Sequence, residues 1–438
     1  MTVFQEFTEM ANRFSAVNLG QGFPDWPAPD FVVEAAAAAL RDGHNQYCRA
    51  AGHPLLCEAV AAQYSDRWGR EVDPTSQVVV TEGATGGVFT SMQALLQPGD
   101  EVVLMEPTYD CYAPAVEMAR GTVRRVSLHL PGWERGSSSP VGTAFGVDAD
   151  ALAAAISPNT RAIVVNTPHN PTGRVMGKAD LDAVAAALRK ADALAGPEMA
   201  SRGGCVIVAD EVYDELCFDQ ENFRPVASHP GLEDRTLTLG SAGKSLSVTG
   251  WKVGWAVGPA PMVAAVAAVN QWTQFCVATP LQVAVANALG AARARGADSL
   301  TFFDQQRKAA LARRELLVSA LNDSGLPAIV PEAGFFVLAD TAAWRGQVGR
   351  KHYEAASPSR AGCKPAGSPV PDDVAFCRFL TEEVGVTAIP PTAFYSPATE
   401  HLAAPLARFA LCKQESSISE AGKRLRRAAS ERGIAGCQ

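Results

Sequence analysis

Six short apolar runs punctuate the first 260 residues: "QVVVT" (77–81), "EVVLM" (101–105), "RAIVVN" (161–166), "CVIVAD" (205–210), "TLTLG" (236–240) and "KVGWAV" (252–257). They are rich in Val, Ile and Leu and do not alternate apolar with polar, which is the pattern of strands buried on both faces. Between several of them lie Ala/Leu-rich stretches of helical period, such as "KADLDAVAAALRKADALAG" (178–196). Strand–helix alternation predicts an α/β domain around a mostly parallel sheet. After about residue 290 the texture changes. "LTFFDQQRKAALARRELLVSALNDSG" (300–325) reads as one long amphipathic helix, and "EAGKRLRRAAS" closes the chain with another. A chain of 438 residues is too long for one simple core. The expected division is a large α/β domain over 31–290 and a smaller α+β domain from 1–30 with 291–438. Two Gly/Pro/Ser-rich segments, 131–146 and 349–373, read as surface insertions.

Composition narrows the class. The chain is 47% hydrophobic and 19% charged, ordinary for a globular protein. A formal net charge of -8 argues against a dedicated nucleic-acid binder, which needs a basic face. No apolar run is long enough to span a bilayer, and "MTVFQEFTEM" lacks the basic and apolar regions of a signal peptide. Ten scattered cysteines without a CxxC suit reduced thiols, and seven histidines without HxxxH or HExxH give no metal motif. A cytoplasmic protein without a metal centre is expected.

In open α/β sheets ligands bind beyond the carboxyl ends of the strands. The first run leads into "EGATGGVFTSMQALL", where a turn at Gly83 opens a helix with free amides at Ala84 and Thr85, an anion site. "EPTYDCY" puts Tyr109 near the next strand end. "NTPHNPTG" places Asn166 and Asn170 in a Pro-stiffened loop, with His169 between them as a loop residue or a general base. "VIVAD" ends on Asp210, a carboxylate that needs a cationic partner, and Tyr213 follows. The fifth run leads to "GSAGKS", with Ser241 and Lys244, and then to Lys252.

"GSAGKS" can be read as a nucleotide loop or as a lysine that anchors an aldehyde cofactor. The P-loop pattern GxxxxGK[ST] requires glycine five residues before Gly243, where this chain has Thr238. The pyridoxal 5′-phosphate reading uses every piece. Lys244 holds the cofactor as a Schiff base, and Asp210 keeps the pyridine nitrogen protonated so that the ring is an electron sink. Tyr213 and Asn170 suit the ring hydroxyl, Tyr109 stacks on the ring, and Ser241, Lys252 and the amides of 84 and 85 suit the phosphate.

"NLGQGFPDWPAPDF", "NQYCRAAGHP", "NTPHNPTG", "VIVADEVYDEL", "GSAGKSLSVTGWKVGW" and "RFALCK" together resemble the class I/II aminotransferases of PLP fold type I. The resemblance runs from about Val3 to Arg426, in family order. It lies nearest the group of kynurenine aminotransferases, glutamine transaminase K and bacterial methionine aminotransferases. It implies a large, mostly parallel seven-stranded sheet domain with a smaller α+β domain, a pyridoxal phosphate cofactor, a homodimer with shared active sites, and transamination between an amino acid and a 2-oxo acid.

The resemblance also implies the cofactor roles just given for Lys244, Asp210, Tyr213, Asn170, Tyr109, Ser241, Lys252, Ala84 and Thr85, and Asn166 is expected among the cofactor-binding residues. Beyond them it points to Arg408 as the clamp on the substrate α-carboxylate. Gly22 corresponds to the backbone that closes over the substrate. Tyr47 corresponds to a residue donated to the partner's phosphate site. Phe4, Tyr109, Phe275, Phe335 and Phe394 can line an apolar side-chain pocket, with Phe4 and Phe335 as substrate contacts. Thr85 stands where relatives often carry an aromatic residue, Cys276 near where kynurenine-type members carry a histidine, and Phe4 where several carry tryptophan. The expected donors are large neutral amino acids: aromatic, methionine, glutamine or kynurenine. Cysteine-S-conjugate β-elimination and succinyl-diaminopimelate transamination are alternatives at the same site. A non-catalytic PLP-fold regulator is the alternative of another class, disfavoured because the chain has no room for a DNA-binding extension before Val3.

Overall fold

The computed structural model describes residues 2–128, 145–297, 299–354 and 369–436. Its strands in chain order are β1 (Val17–Asn18), β2 (Val78–Glu82), β3 (Glu101–Glu106), β4 (Thr122–Ser127), β5 (Thr160–Asn166) and β6 (Val206–Asp210). They continue with β7 (Thr236–Ser241), β8 (Val253–Val257), β9 (Ala328–Ile329), β10 (Phe336–Asp340), β11 (Val386–Thr387) and β12 (Leu406–Ala410). Seven of them form one sheet in the order β2-β8-β7-β6-β5-β3-β4. All six apolar runs are strands of this sheet. The pattern did not reveal β4. It lies at the edge and reads "TVRRVS", largely solvent-facing, so it lacks the continuous apolar run of its neighbours.

β8 runs antiparallel to both β2 and β7, whereas β3, β4, β5, β6 and β7 are mutually parallel. The reversal has a direct consequence for the site. The amino end of β8, where Lys252 stands, meets the carboxyl ends of β2 and β7. Gly254 permits the approach: a Cβ there would lie 2.7 Å from the Gly83 carbonyl carbon and 2.8 Å from the Ala84 nitrogen.

The long helix predicted at 300–325 is Phe302–Asn322, capped by Thr301 with Asp304 in a reciprocal capping box. A second sheet, β12-β10-β9, is antiparallel, and β1 pairs with β11 in parallel. One apolar core joins Val3, Phe7 and Leu19 to Leu317, Phe379 and Phe409. Within it a buried ion pair, Arg378 to Glu6 at 2.7 Å, fastens the N-terminal helix Val3–Arg13 to the helix Asp372–Phe379. Of the predicted insertions, 131–144 and 355–368 lie outside the described residues. Among the described residues no helix is long and apolar enough to cross a membrane, and no group of three or more His, Cys, Asp or Glu could hold a metal ion.

Candidate active site

The carboxyl edge of the main sheet faces β10 and β12 across a cavity of about 280 Å³. Of the sequence-predicted residues, Phe4, Gly22, Ala84, Thr85, Tyr109, Asn166, Asn170, Asp210, Tyr213, Ser241, Lys244, Lys252 and Arg408 all line it. They come from eight separate stretches of chain, and the strand ends of the main sheet bring most of them together.

Asp210 closes β6 and is buried. Its Oδ2 accepts from the Tyr112 hydroxyl at 2.5 Å and its Oδ1 from the Val212 amide at 3.3 Å. Burial pushes its pKa up, and these two donors with the Lys244 charge oppose the rise. Tyr112 was not singled out in the sequence, because a tyrosine opening a helix reads as core. The signal available was the pair Tyr109/Tyr112 just after a strand. The two rings meet edge to face at 5.9 Å, and both hydroxyl pKa values are raised, first by burial.

Asn166 ties the strand ends together. Its Nδ2 donates to the Asp210 carbonyl at 2.9 Å, and its Oδ1 accepts from the Asn170 amide at 2.8 Å. Asn170 Oδ1 then accepts from Arg408 at 3.2 Å. His169 is buried, pairs through Nδ1 with Thr172 Oγ1 at 2.8 Å, and bonds the Pro107 backbone. Burial pushes its pKa down to about 4, so it is neutral at pH 7. It does not line the cavity and acts as a strut of the loop, not as a base facing substrate.

Lys244 follows β7 in the short helix Ala242–Ser245. Its Nζ donates to the Gly22 carbonyl at 3.3 Å and lies 5.5 Å from the ring centroids of both Tyr213 and Phe335. Burial lowers its pKa, and the charges of Arg408 and Lys252 lower it further, while Cys412 and Asp210 oppose. The amine is therefore biased toward the neutral, nucleophilic form.

Lys252 sits in the left-handed region with φ 54, a conformation that costs a non-glycine residue roughly 1–2 kcal/mol. There its Nζ comes within 3.3 Å of where a Gly83 Cβ would be. Gly83 itself has φ +63 and opens the helix Gly83–Leu95, whose first amides have no intrahelical partner. A helix N-terminus, an ammonium and the Ser241 hydroxyl thus converge on one wall of the cavity.

Arg408 stands on the opposite wall, in β12, only 1% exposed. Besides Asn170 it donates to the Gly20 carbonyl at 3.0 Å, and the Phe336 ring lies 3.8 Å from its guanidinium carbon. Phe394 and Phe4 enclose it further, at 4.8 and 5.4 Å. Its Nε is buried without a hydrogen-bond partner among the described residues. Burial brings its pKa down to about 10, so it remains charged at neutral pH. The Asp110 charge acts on it, but among the described residues no carboxylate is ion-paired with it, so this buried guanidinium is suited to bind one.

Phe335, Phe275 and Phe394 do not line this cavity, and neither does Tyr47, which was expected at the partner's site and not at its own. Phe335 packs behind it, edge to face on Tyr213 at 5.4 Å. Its neighbour Phe336 takes the inner face, because side chains in β10 alternate and one step reverses the face. Tyr47 is 82% exposed and lies outside its own chain's cavity, edge to face on Phe275 at 5.2 Å. Phe275 is likewise an outer residue, while Phe394 reaches the cavity region only as a ring against Arg408.

The site can hold a planar, phosphorylated aldehyde. It offers an amine of lowered pKa, a buried carboxylate that a protonated ring nitrogen would neutralise, and an anion cup on the Lys252 side. These features fit pyridoxal phosphate.

Comparison with known proteins agrees with this chemistry. The family described as "Aminotransferase class I and II" matches residues 15–408. Kynurenine–oxoglutarate transaminase 3 of Mus musculus is 36% identical over 96% of this chain and 86% of its own length. Methionine aminotransferase of Escherichia coli is 35% identical over 97% and 95%. The solved structure of N-succinyldiaminopimelate aminotransferase from Mycobacterium tuberculosis superposes with a TM-score of 0.80 at 36% identity, covering 97% of both chains.

Proposed function

We propose, for a chain that belongs to the class I and II aminotransferases and works through pyridoxal 5′-phosphate, that the amino donor is a large uncharged amino acid. Aromatic amino acids, methionine, glutamine and kynurenine form that class, and a 2-oxo acid is the acceptor. Family membership sets aside the reading as a non-catalytic regulator.

The observation that carries the substrate class is the distribution of charge around the cavity. Among the described residues its lining cations are Lys244, Lys252 and Arg408. The first is the reacting amine, the second belongs to the phosphate cup, and the third is left for the α-carboxylate. A second substrate carboxylate would be buried without a partner, which is costly. Phe4, Phe23, Tyr109 and Phe336 supply apolar walls instead.

When bound, the cofactor supplies an electron sink. Asp210 keeps the ring nitrogen protonated, and Tyr112 orients Asp210. Tyr213 and Asn170 serve the ring hydroxyl. Tyr109 covers the ring, and Ala84, Thr85, Ser241 and Lys252 hold the phosphate. Lys244 takes up and returns the proton at Nζ. Arg408 grips the α-carboxylate in bidentate fashion. Donor and acceptor use the one site in turn, so the kinetics are ping-pong.

The active unit is read as a homodimer in which Tyr47 reaches the partner's phosphate site. Its exposure, the equal exposure of Trp272 and the partial exposure of Phe275 support a covered surface there. The division into 31–290 and 1–30 with 291–438 is supported by the core that Val3 and Phe7 share with Phe379 and Phe409.

An amino-donor panel against several 2-oxo acids, read by product mass, tests the reading. Methionine, aromatic donors or glutamine are expected to lead. A preference for aspartate or glutamate would overturn it. Fastest turnover of N-succinyl-diaminopimelate would move the chain to the substrate named for its mycobacterial relative. Ammonia and pyruvate from a cysteine S-conjugate would mark β-elimination at the same site.

A further inference from the structure

The segment 19–26 reaches both Arg408 and Lys244 in the cavity. The Gly20 carbonyl accepts from Arg408, and the Gly22 carbonyl accepts from Lys244. Gln21 Nε2 donates to the Phe4 carbonyl at 2.9 Å and to Thr8 at 2.6 Å, fixing the N-terminal helix over the site. The backbone of Leu19 still bonds Thr387 of β11 at 3.0 Å and Ala410 of β12 at 2.6 Å, but past it the segment is neither strand nor helix. The part from Gly20 to Trp26 is tied down further along by the start of the C-terminal helix, Glu415–Glu431.

That helix has no side-chain cap of its own at Gln414. Asp25 supplies one from the other end of the chain. Its Oδ1 accepts the Gln414 amide at 2.6 Å, its Oδ2 accepts the Ser417 hydroxyl at 2.9 Å, and its carbonyl accepts Gln414 Nε2 at 3.1 Å. A carboxylate here also meets the positive end of the helix dipole. Two residues earlier, the buried ammonium of Lys413 donates to the Phe23 carbonyl at 2.8 Å and lies 4.7 Å from the Phe23 ring. Arg313 stacks on Trp26, the residue after Asp25, at 4.2 Å. Burial lowers the Lys413 and Arg313 pKa values, and the Asp25 charge opposes the fall in both.

We infer that Asp25 and Lys413 are positioning residues for transamination. They form a two-point latch that sets the register of segment 19–26, and through it the Gly20 and Gly22 carbonyls against Arg408 and Lys244. Neither residue lines the cavity. The latch acts on substrate binding and leaves the phosphate cup, built on the other wall, untouched. The inference rests on the aminotransferase reaction and not on which donor is preferred.

The test compares Asp25→Ala, Asp25→Asn and Lys413→Met in the holoenzyme with Ala428→Gly. The last softens the same helix at a buried position 14 residues beyond Gln414 (428 − 414), far from the Asp25 and Lys413 bonds. Asp25→Ala and Lys413→Met are expected to raise the donor KM by roughly threefold to tenfold, the scale of one lost cap or charge-assisted bond. The kcat should change less than twofold on the same scale, and cofactor retention on dialysis should be unchanged. Hydrogen exchange should rise in peptides covering 19–27. Asp25→Asn, which keeps one acceptor, should fall between wild type and Asp25→Ala. Unchanged KM and exchange in both latch variants would overturn the inference. So would a KM rise in Ala428→Gly equal to theirs, because helix stability alone would then account for the effect. A failure of the donor panel to favour neutral amino acids leaves these comparisons intact, since they are ratios within whichever donor is used.

Discussion

Tyr112→Phe removes one oxygen and keeps the ring that packs on Tyr109. The lost hydroxyl is the 2.5 Å donor to Asp210 Oδ2. A hydrogen bond to a charged group is worth about 1.5–3 kcal/mol, and 1.36 kcal/mol moves a pKa by one unit, so the Asp210 pKa should rise by about 1–2 units. The sign follows from the site. Burial already raises the Asp210 pKa, the Tyr112 hydroxyl opposes that rise, and its removal leaves the carboxyl protonated to higher pH. Ionised Asp210 is the form that pairs with a protonated ring nitrogen. Cofactor affinity is therefore full above the Asp210 pKa and is lost as pH falls through it. Absorbance titration of the apoenzyme with pyridoxal phosphate, repeated from pH 5 to 8.5, should show the acid-side loss of affinity displaced upward in the variant by about that 1–2 units. Affinity near the alkaline end should be little changed. Superimposable affinity–pH curves for the two proteins would refute the coupling of Tyr112 to the cofactor through Asp210.

Arg408→Ala should raise the donor KM steeply, by about 2–5 kcal/mol of binding energy, with cofactor retained, as initial rates and dialysis would record; an unchanged KM would take Arg408 out of the substrate site. Lys244→Ala should keep the cofactor through the phosphate cup yet transaminate negligibly, seen as bound chromophore without product; near-normal turnover would refute its role. Gly22→Ala would put a Cβ 2.4 Å from the Phe336 ring that stacks on Arg408, so it should weaken donor binding by about 1–3 kcal/mol; wild-type KM in that variant would show that the ring yields freely. A sedimentation experiment on Tyr47→Ala should find a dimer with weakened cofactor retention, whereas a fully active monomeric wild type would remove the shared-site reading.

Much of the sheet was legible because its strands are buried on both faces, and burial on both faces leaves an uninterrupted apolar run. The rule that ligands sit beyond strand ends then led to Asp210, Asn166, Ser241 and Lys244 with no other information. What escaped did so for physical reasons. The edge strand β4 carries arginines because one side of it is wet. Tyr112 is a packing residue and a hydrogen-bond donor at once, and only the donor function marks it as part of the site. Phe335 and Phe336 are chemically identical neighbours, so only the register of β10 decides which one faces the cavity. Arg408 lies in an apolar strand, where its local sequence reads as surface; a resemblance across the whole chain was needed to single it out. Asp25 escaped for a different reason. It caps a helix nearly four hundred residues away in sequence, and no local pattern encodes such a pairing.

The reversed strand β8 also constrains the order in which the molecule can be made. In the main sheet β2 pairs with β8 and with no other strand, so residues 78–82 stay unpaired until 253–257 have left the ribosome. The strands between, β3 to β7, are mutual neighbours and can associate earlier during synthesis. The helix at Gly83 and the Lys252 ammonium therefore come together only when β8 slides between β2 and β7. A nascent chain shorter than this cannot yet hold Lys252 against the helix at Gly83, so this wall of the cavity is the last part of the main sheet to be completed.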